Sequence, residues 1–120
     1  MESIKISWLE IDNAVDTICK KVETVFPECS GIYGLPRGGL VPAVMLSHKL
    51  GLPLLAAPAK NCLVVDDIAD TGKTLQHYSE CGYKIATVFW KLKSIVKPNF
   101  YGFENRSVEC PWLVFPWEDC

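Results

Sequence analysis

The stretch that decides the fold is Cys62-Leu63-Val64-Val65-Asp66-Asp67-Ile68-Ala69-Asp70-Thr71-Gly72-Lys73-Thr74. It leads from an apolar run into three carboxylates and then into a turn rich in threonine and glycine. Near-continuous apolar runs are typical of buried strands in parallel sheets, and open α/β sheets bind ligands beyond the carboxyl ends of their strands. We therefore predict a buried strand that ends at Asp66 and Asp67, with a ligand site beside it.

The polar half of this stretch has the chemistry of a site for a phosphorylated sugar. Asp66 and Asp67 can accept hydrogen bonds from the diol of a ribose. Residues 71–74 offer backbone N–H groups and hydroxyls at the start of a helix predicted over residues 71–81, and helix N-termini bind anions such as phosphate. Carboxylates for a ribose beside amides for a phosphate indicate a sugar phosphate.

The rest of the chain predicts helices and strands in alternation. Ser7 and Glu10 have the spacing of a capping box, and apolar residues recur every three or four positions behind them up to Pro27. Further strands are predicted at 31–35, 54–56, 84–90 and 112–115, and a further helix at 40–50. Such alternation is typical of α/β proteins. The predicted fold is a Rossmann-like parallel sheet flanked by helices, in a single domain over residues 1–120.

Length and charge exclude several classes of protein. The chain has 120 residues, enough for one domain, and its net charge of −2 provides no basic surface for nucleic acid or an anionic membrane. Its first five residues lack the apolar segment of a signal peptide, and no run approaches the about 20 apolar residues of a membrane-spanning helix. We expect a cytoplasmic protein that binds neither nucleic acid nor membrane.

The cysteines are scattered, with no Cys-x-x-Cys pair and no histidine cluster nearby. This spacing favours reduced, structural thiols over disulfides or a zinc site. The six residues concerned are Cys19, Cys29, Cys62, Cys81, Cys110 and Cys120.

A second turn resembles the first in containing glycine and in standing between a strand and a helix. Pro36-Arg37-Gly38-Gly39 joins a predicted strand to a predicted helix. Its adjacent glycines let backbone amides approach an anion closely, and Arg37 adds a charge with a planar donor fork. Taken alone, the same turn is equally well a helix start with a solvated arginine. Together, the two turns and the carboxylate pair between them describe a ribose that carries an anionic group at each end.

At this point the chain resembles the type I phosphoribosyltransferases, whose substrate is phosphoribosyl pyrophosphate. Residues 63–74 match the substrate-binding motif of that family residue for residue, and residues 34–42 are similar to its pyrophosphate loop. The helix start at Ser7-Trp8, the segment at Lys91 and the tail 112–118 resemble the purine branch, the xanthine-guanine and hypoxanthine enzymes. The resemblance implies a core with a small C-terminal hood. It also implies transfer of 5-phosphoribosyl to guanine, xanthine or hypoxanthine with release of pyrophosphate.

Two other motifs fit the same residues less well. Gly72-Lys73-Thr74 is similar to the end of a Walker A loop, but the first glycine of such a loop would stand where the chain has Asp67. Val64-Val65-Asp66-Asp67 is similar to the opening of a phosphoacceptor receiver domain, which should lie near the N-terminus. Here it lies in the middle of the chain.

The resemblance also assigns roles to residues of this chain. Asp70 would accept the proton of purine N7 as N9 attacks the anomeric carbon, a role for a carboxylate that is ionised at neutral pH. Asp66 and Asp67 would hold the ribose hydroxyls directly or through Mg²⁺. The remaining contacts implied are Thr71, Gly72, Lys73 and Thr74 with the 5′-phosphate, Arg37, Gly38 and Gly39 with pyrophosphate, and Lys91, Trp112 and Leu113 with the base.

Each of these roles has a structural alternative. Asp70 can cap the following helix, Lys91 can be an ordinary surface lysine, and Trp112 can be a core residue. Glu118 and Asp119 are expected at the surface, with a contribution to the metal site as the alternative. The resemblance further implies a homodimer, with phosphoribosyl pyrophosphate and a purine base or nucleoside monophosphate as ligands.

One part of the resembled family is missing. Only fourteen residues separate Gly51 from Asp66. In that family the interval holds two strands and a mobile loop that closes over the reacting centre. Two hypotheses follow: a minimal purine phosphoribosyltransferase, or a non-catalytic module that binds phosphoribosyl pyrophosphate or a nucleotide as a regulator. The presence of Asp70, Lys91 and Trp112 favours the first, because a phosphate sensor needs no base-recognition groups.

Overall fold

The structure, a computed structural model, describes residues 3–105 and 112–118. The elements within these ranges are β1 (Ser3–Lys5), α1 (Trp8–Val25), β2 (Gly31–Gly34), α2 (Leu40–Leu50), β3 (Cys62–Ala69), α3 (Lys73–Glu80), β4 (Lys84–Lys91), β5 (Phe100–Asn105) and β6 (Trp112–Val114).

A parallel sheet in the order β2-β3-β4-β5 forms the centre of the molecule. Helices α1 and α2 pack on one face of the sheet, and α3 packs on the other. Strands β1 and β6 form a separate two-stranded parallel sheet, which is the small C-terminal hood. The predicted α/β fold, a parallel sheet flanked by helices, is confirmed.

The first helix forms for the reasons visible in its sequence. Ser7 and Glu10 make the full capping box, with the Glu10 amide donating to Ser7 Oγ at 3.1 Å and the Ser7 amide donating to Glu10 Oε1 at 3.1 Å. The apolar positions behind the cap, Ile11 to Val22, are buried against the sheet. The helix ends at Val25, before Pro27, so its predicted extent is confirmed. The predicted limits of α2 are confirmed too.

The strand that carries the carboxylates is longer than predicted. β3 continues to Ala69, so Asp66 and Asp67 lie within the strand rather than at its end. The apolar run stops at Val65, but β4 continues alongside and pairs with Asp66, Ile68 and Ala69. Backbone pairing with β4 therefore continues beyond the point at which the side chains change from apolar to acidic. As a further correction, α3 begins at Lys73 rather than Thr71.

Two strands were not predicted at all, β1 and β5. β5 contains Gly102 and follows a Pro-Asn pair, which are residues typical of a loop. Gly102 is required because α1 crosses the sheet here, and a side chain at Gly102 would collide with Ala14. The strand predicted at 54–56 is reduced to one bridge between Leu54 and Ile32 at the edge of the sheet.

The connection between α2 and β3 is short. Within residues 51–61 the structure has no helix and no strand pairing other than that bridge. Gly51, with φ of 66°, ends α2 in the left-handed region. Residues 51–61 therefore contain neither the two strands nor the closing loop that the resemblance implies for this interval, as its length predicts.

The cysteines of the described residues form no disulfides. Cys19, Cys29, Cys62 and Cys81 are free thiols, while Cys110 and Cys120 lie outside the described residues. Burial raises the pKa of Cys29 and raises the pKa of Cys19 to about 11, which keeps both thiols protonated. In residues 3–105 and 112–118, helices long and apolar enough to span a membrane are absent.

Candidate active site

The residues predicted to bind ligand gather at the carboxyl edge of the main sheet. Two turns, at residues 35–39 and 70–72, follow the neighbouring strands β2 and β3. Lys91 is the last residue of β4, the next strand along. Parallel strands bring these three positions to one edge.

Asp66 and Asp67 form a half-buried carboxylate pair in β3. Asp66 Oδ1 accepts a hydrogen bond from the Asp67 amide at 2.9 Å, and Asp67 Oδ1 accepts one from the Ile68 amide at 2.8 Å. Burial raises the pKa of both carboxyls, and the charge of Asp67 raises that of Asp66 further. The pair is therefore short of positive charge, a deficit that hydroxyl donors or a cation would relieve.

The turn after β2 brings Gly38 against the carboxylate of Asp67. The turn is fixed by hydrogen bonds from the Leu35 amide to the Val65 carbonyl at 2.8 Å and from the Gly39 amide to the Leu35 carbonyl at 2.9 Å. The space that a side chain at Gly38 would need is filled by Asp67 Oδ2. A cavity of about 650 Å³ opens beside the turn, lined by Arg37, Gly38, Asp67, Trp117 and Glu118.

The turn after β3 encloses a second, smaller cavity. Gly72, with φ of 84°, is the N-cap that precedes α3, and the Lys73 amide donates to Thr71 Oγ1 at 3.3 Å. The β4–β5 connection packs on this turn, with the Ile95 amide donating to the Thr71 carbonyl at 2.9 Å. The cavity has a volume of about 80 Å³ and is lined by Asp66, Ile68, Asp70 and residues 71–75.

Asp70 and Lys91 face a third cavity. Lys91 is buried, with only 8% of its side chain exposed, and its Nζ lies 3.4 Å from Asp70 Oδ1. Lys93 Nζ approaches the same oxygen at 3.2 Å. Oδ1 is itself buried, and the two ammonium groups approach it as ion-pair partners without forming a hydrogen bond among the described residues. The cavity, of about 110 Å³, is lined by Asp67, Ile68, Asp70, Lys91, Leu113, Phe115 and Glu118.

The three cavities share walls. Asp67 lines both the first and the third, and Asp70 lines both the second and the third. A ligand with an anionic group at each end and a ring at its centre could reach all three. This arrangement brings together most of the residues predicted for pyrophosphate, for 5′-phosphate and for the base; Gly39 lines none of the three cavities, and the side chain of Trp112 lies outside the described residues.

The tail places Glu118 beside the carboxylate pair. Glu118 is exposed, as expected, yet its side chain lines two of the cavities and its charge raises the pKa of Asp67. The Phe115 amide donates to Glu118 Oε1 at 3.0 Å, which fixes the turn that presents this carboxylate. A Phe-Pro-Trp-Glu turn directly after a strand is the signal that could have indicated this. Trp112 begins β6, but its side chain, like all of Asp119, lies outside the described residues.

The carboxylate pair at Asp66 and Asp67 suits Mg²⁺ when substrate phosphates and water supply the remaining ligands. Among the described residues there is no group of three or more His, Cys, Asp or Glu side chains that could hold a metal by themselves. Mg²⁺, however, is commonly held by one or two carboxylates plus substrate phosphates and water. The pair at Asp66 and Asp67, with its deficit of positive charge, fits that mode of binding.

Similarity to known proteins agrees with this geometry. No model of a protein family matches the chain. A xanthine-guanine phosphoribosyltransferase of Idiomarina loihiensis is 25% identical over 140 residues, covering 94% of this chain and 85% of the relative. Because that alignment is longer than the 120-residue chain, the relative carries insertions.

Solved structures extend the similarity to the whole chain. A purine phosphoribosyltransferase from Pyrococcus horikoshii superposes with a TM-score of 0.81 at 32% identity, covering 100% of this chain and 96% of the other. A xanthine-guanine-hypoxanthine phosphoribosyltransferase from Helicobacter pylori superposes at 0.79 with 19% identity, covering 98% and 95%.

A parallel sheet with two glycine turns and a carboxylate pair at its carboxyl edge is the architecture of the type I phosphoribosyltransferases. Within that class, the chain belongs to the purine phosphoribosyltransferase branch.

Proposed function

We propose that this protein transfers the 5-phosphoribosyl group from phosphoribosyl pyrophosphate to a 6-oxopurine and releases pyrophosphate. The observation that supports the proposal is that the three cavities adjoin one another: Asp67 lines the first and the third, and Asp70 lines the second and the third. A site for a nucleotide alone needs no second anion turn, and a phosphate sensor needs no buried Lys91.

In the proposed reaction, purine N9 forms a bond to C1′ of the ribose while the bond from C1′ to the pyrophosphate oxygen breaks. The electron pair of that bond leaves with pyrophosphate, and Asp70 accepts the proton that N7 loses. Arg37 and the amides of residues 38–39 stabilise the departing charge, and residues 71–74 hold the 5′-phosphate. Lys91 donates a hydrogen bond to the O6 oxygen, and the Leu113 carbonyl accepts one from the edge of the base.

Asp66 and Asp67 would hold Mg²⁺ together with the substrate. Such an ion, when bound, neutralises phosphate charge and helps to orient the sugar. The residues of the chain then have two tasks at this point: to accept hydrogen bonds from the ribose hydroxyls and to align the anomeric carbon with the base cavity. Half-buried carboxylates suit both tasks.

A second candidate function is regulation without catalysis. The observation that favours it is the short connection over residues 51–61, a segment that contributes no loop able to close over the reacting centre. A site open to water stabilises developing charge less well than a closed one. In this alternative, the protein binds phosphoribosyl pyrophosphate or a nucleoside monophosphate and does not turn it over.

The two candidates are separated by one assay. Pyrophosphate release is measured with guanine, hypoxanthine and xanthine in the presence of phosphoribosyl pyrophosphate and Mg²⁺, and guanosine monophosphate binding is measured by calorimetry in parallel. Release with at least one base supports the enzyme. Absence of release beside clear nucleotide binding overturns it in favour of the regulator.

A further inference from the structure

Two lysines share one oxygen of the predicted catalytic base. Lys91 Nζ and Lys93 Nζ lie 3.4 Å and 3.2 Å from Asp70 Oδ1. The two cations differ in their surroundings, since the side chain of Lys91 is 8% exposed and that of Lys93 is 59% exposed. Lys91 lines the third cavity, which we assign to the base, whereas Lys93 is not among the described residues that line it. Lys93 therefore approaches Asp70 from outside the cavity.

The position of Lys93 is fixed by a tight turn. The Ser94 amide donates to the Lys91 carbonyl at 2.9 Å, which closes a turn with Lys93 at its centre. Ser94 Oγ donates to the Val96 carbonyl at 2.7 Å, and the Ile95 amide holds the turn against Thr71. Asp70 directly precedes Thr71, so the same contacts that pack this turn bring Lys93 to Asp70.

Binding of a 6-oxopurine changes the balance of charge at Asp70. If Lys91 donates to a neutral O6 oxygen, it withdraws part of its charge compensation from the carboxylate. A partly buried carboxylate that loses its cation is costly. We propose that Lys93 is a positioning residue, the second counter-ion that holds Asp70 in place when Lys91 turns to the base. The inference rests on the proposed function, because it assumes that the base lies between Lys91 and Asp70.

The test compares two soluble nucleotides by calorimetry. Inosine monophosphate carries the O6 oxygen, and purine riboside 5′-monophosphate lacks it. Lys93→Met is expected to weaken binding of inosine monophosphate by about three- to fivefold, the scale of an exposed charge pair, and to leave the second nucleotide unchanged. Lys93→Arg keeps the charge and is expected to stay within about twofold of the natural protein. At about 1 M salt the difference between natural protein and Lys93→Met should shrink, because exposed charges are then screened.

A matched control removes the same charge elsewhere. Lys84 is exposed at the opposite end of β4, about 20 Å from Lys91 by strand geometry. Lys84→Met should leave both affinities unchanged. Unchanged binding of inosine monophosphate by Lys93→Met overturns the proposal. So does an equal loss for both nucleotides, or the same loss in Lys84→Met.

Turnover separates this inference from the proposed function. In Lys93→Met, kcat/KM for hypoxanthine should fall with the affinity while KM for phosphoribosyl pyrophosphate stays constant. If the natural protein shows no turnover but Lys93→Met still weakens binding of inosine monophosphate alone, the proposed function fails and the counter-ion role stands. If the natural protein turns over and Lys93→Met behaves like it, only the role of Lys93 fails. Binding of neither nucleotide by the natural protein overturns the role of Lys93, and if turnover is absent as well the proposed function also fails.

Discussion

The carboxylate of Asp67 occupies the space into which a side chain at Gly38 would project. Gly38 lies in the turn after β2, and Asp67 lies in β3, so this contact joins the two halves of the candidate site. The absence of a side chain at Gly38 allows the carboxylate and the turn that we assign to pyrophosphate to border one cavity.

Gly38→Ala should therefore damage activity and spare the fold. A methyl group must push Asp67 aside, and displacement of a positioning group by about 1 Å costs on the order of 100-fold in rate. We expect a 10- to 100-fold loss in kcat/KM for phosphoribosyl pyrophosphate, on the order given for such misplacement. The free energy of unfolding should change by less than about 1 kcal/mol, because a half-buried side chain can move.

Gly39→Ala is the matched control for that variant. A side chain at Gly39 would meet the backbone carbonyl of Val65 and that of Leu35, neither of which can move without breaking the sheet. We expect this variant to lose about 3 kcal/mol or more of stability by chemical denaturation. Equal destabilisation by the two substitutions would show that Asp67 is as rigid as the backbone and would contradict the first expectation.

Gly72→Ala tests the packing of the β4–β5 connection on the turn after β3, which we assign to the 5′-phosphate. Gly72 has φ of 84°, and a side chain there would also meet Ser94 Oγ and the Val96 amide. Gly82→Ala is the control, since Gly82 has φ of 87° but open space around it. Both variants should lose about 1 kcal/mol to backbone strain. Gly72→Ala should lose more than this, because its side chain also meets backbone amides that Gly82→Ala does not. Only Gly72→Ala should raise KM for phosphoribosyl pyrophosphate, by about tenfold or more, as a displaced positioning group does. A similar KM in both variants would assign the effect to strain alone.

The fold was predictable where local signals and burial agree. The capping box at Ser7 and the glycine at position 51 set helix limits that tertiary packing did not alter. The end of β3 was not predictable in this way, because pairing with β4 carries the strand past Asp66. β5 was hidden because Gly102 is needed by a helix distant in sequence.

The candidate site was predictable to a similar degree. The two turns and the carboxylates were identifiable because each has its chemistry within a few consecutive residues. Lys93 was not, since only the folded chain brings it to Asp70, and Glu118 was expected at the surface, with a part in the metal site as the alternative. Local motifs indicate which groups bind, while the fold decides which side chains surround them.

Asp66→Asn should stabilise the protein without ligand and destroy its response to substrate. Burial, then the charge of Asp67, raises the pKa of Asp66 from 3.8 to about 8. The folded protein thus binds this proton more tightly than the unfolded chain does. The contribution of Asp66 to stability is complete below pH 3.8 and is lost as the pH rises to about 8. Asparagine keeps the Oδ1 acceptor for the Asp67 amide and removes this dependence.

Thermal unfolding between pH 5 and pH 8.5 measures the effect of Asp66→Asn. At the upper end we expect the variant to be more stable by about 2 kcal/mol, well below the linkage limit because water reaches the half-buried pair. Glu80→Gln, at an exposed site in α3, is the control and should show no such gain. Phosphoribosyl pyrophosphate with Mg²⁺ should raise the melting temperature of the natural protein and not that of Asp66→Asn. A variant less stable than the natural protein at pH 8.5 would contradict the argument.

Asp70→Asn and Lys91→Met should separate proton transfer from base recognition. Asn at position 70 cannot accept the N7 proton, so kcat should fall by about 10²- to 10³-fold, the usual contribution of a general base.

In Lys91→Met, the methionine fills the buried space but donates nothing to O6. We expect kcat/KM for hypoxanthine to fall by about 10- to 100-fold, as for a lost hydrogen bond from a charged group, with KM for phosphoribosyl pyrophosphate unchanged. Steady-state kinetics with hypoxanthine, guanine and adenine measures both effects, with Lys60→Met as a control at the opposite end of the sheet. Turnover left intact by Asp70→Asn would assign the base to another group, and an unchanged base preference in Lys91→Met would remove the contact with O6.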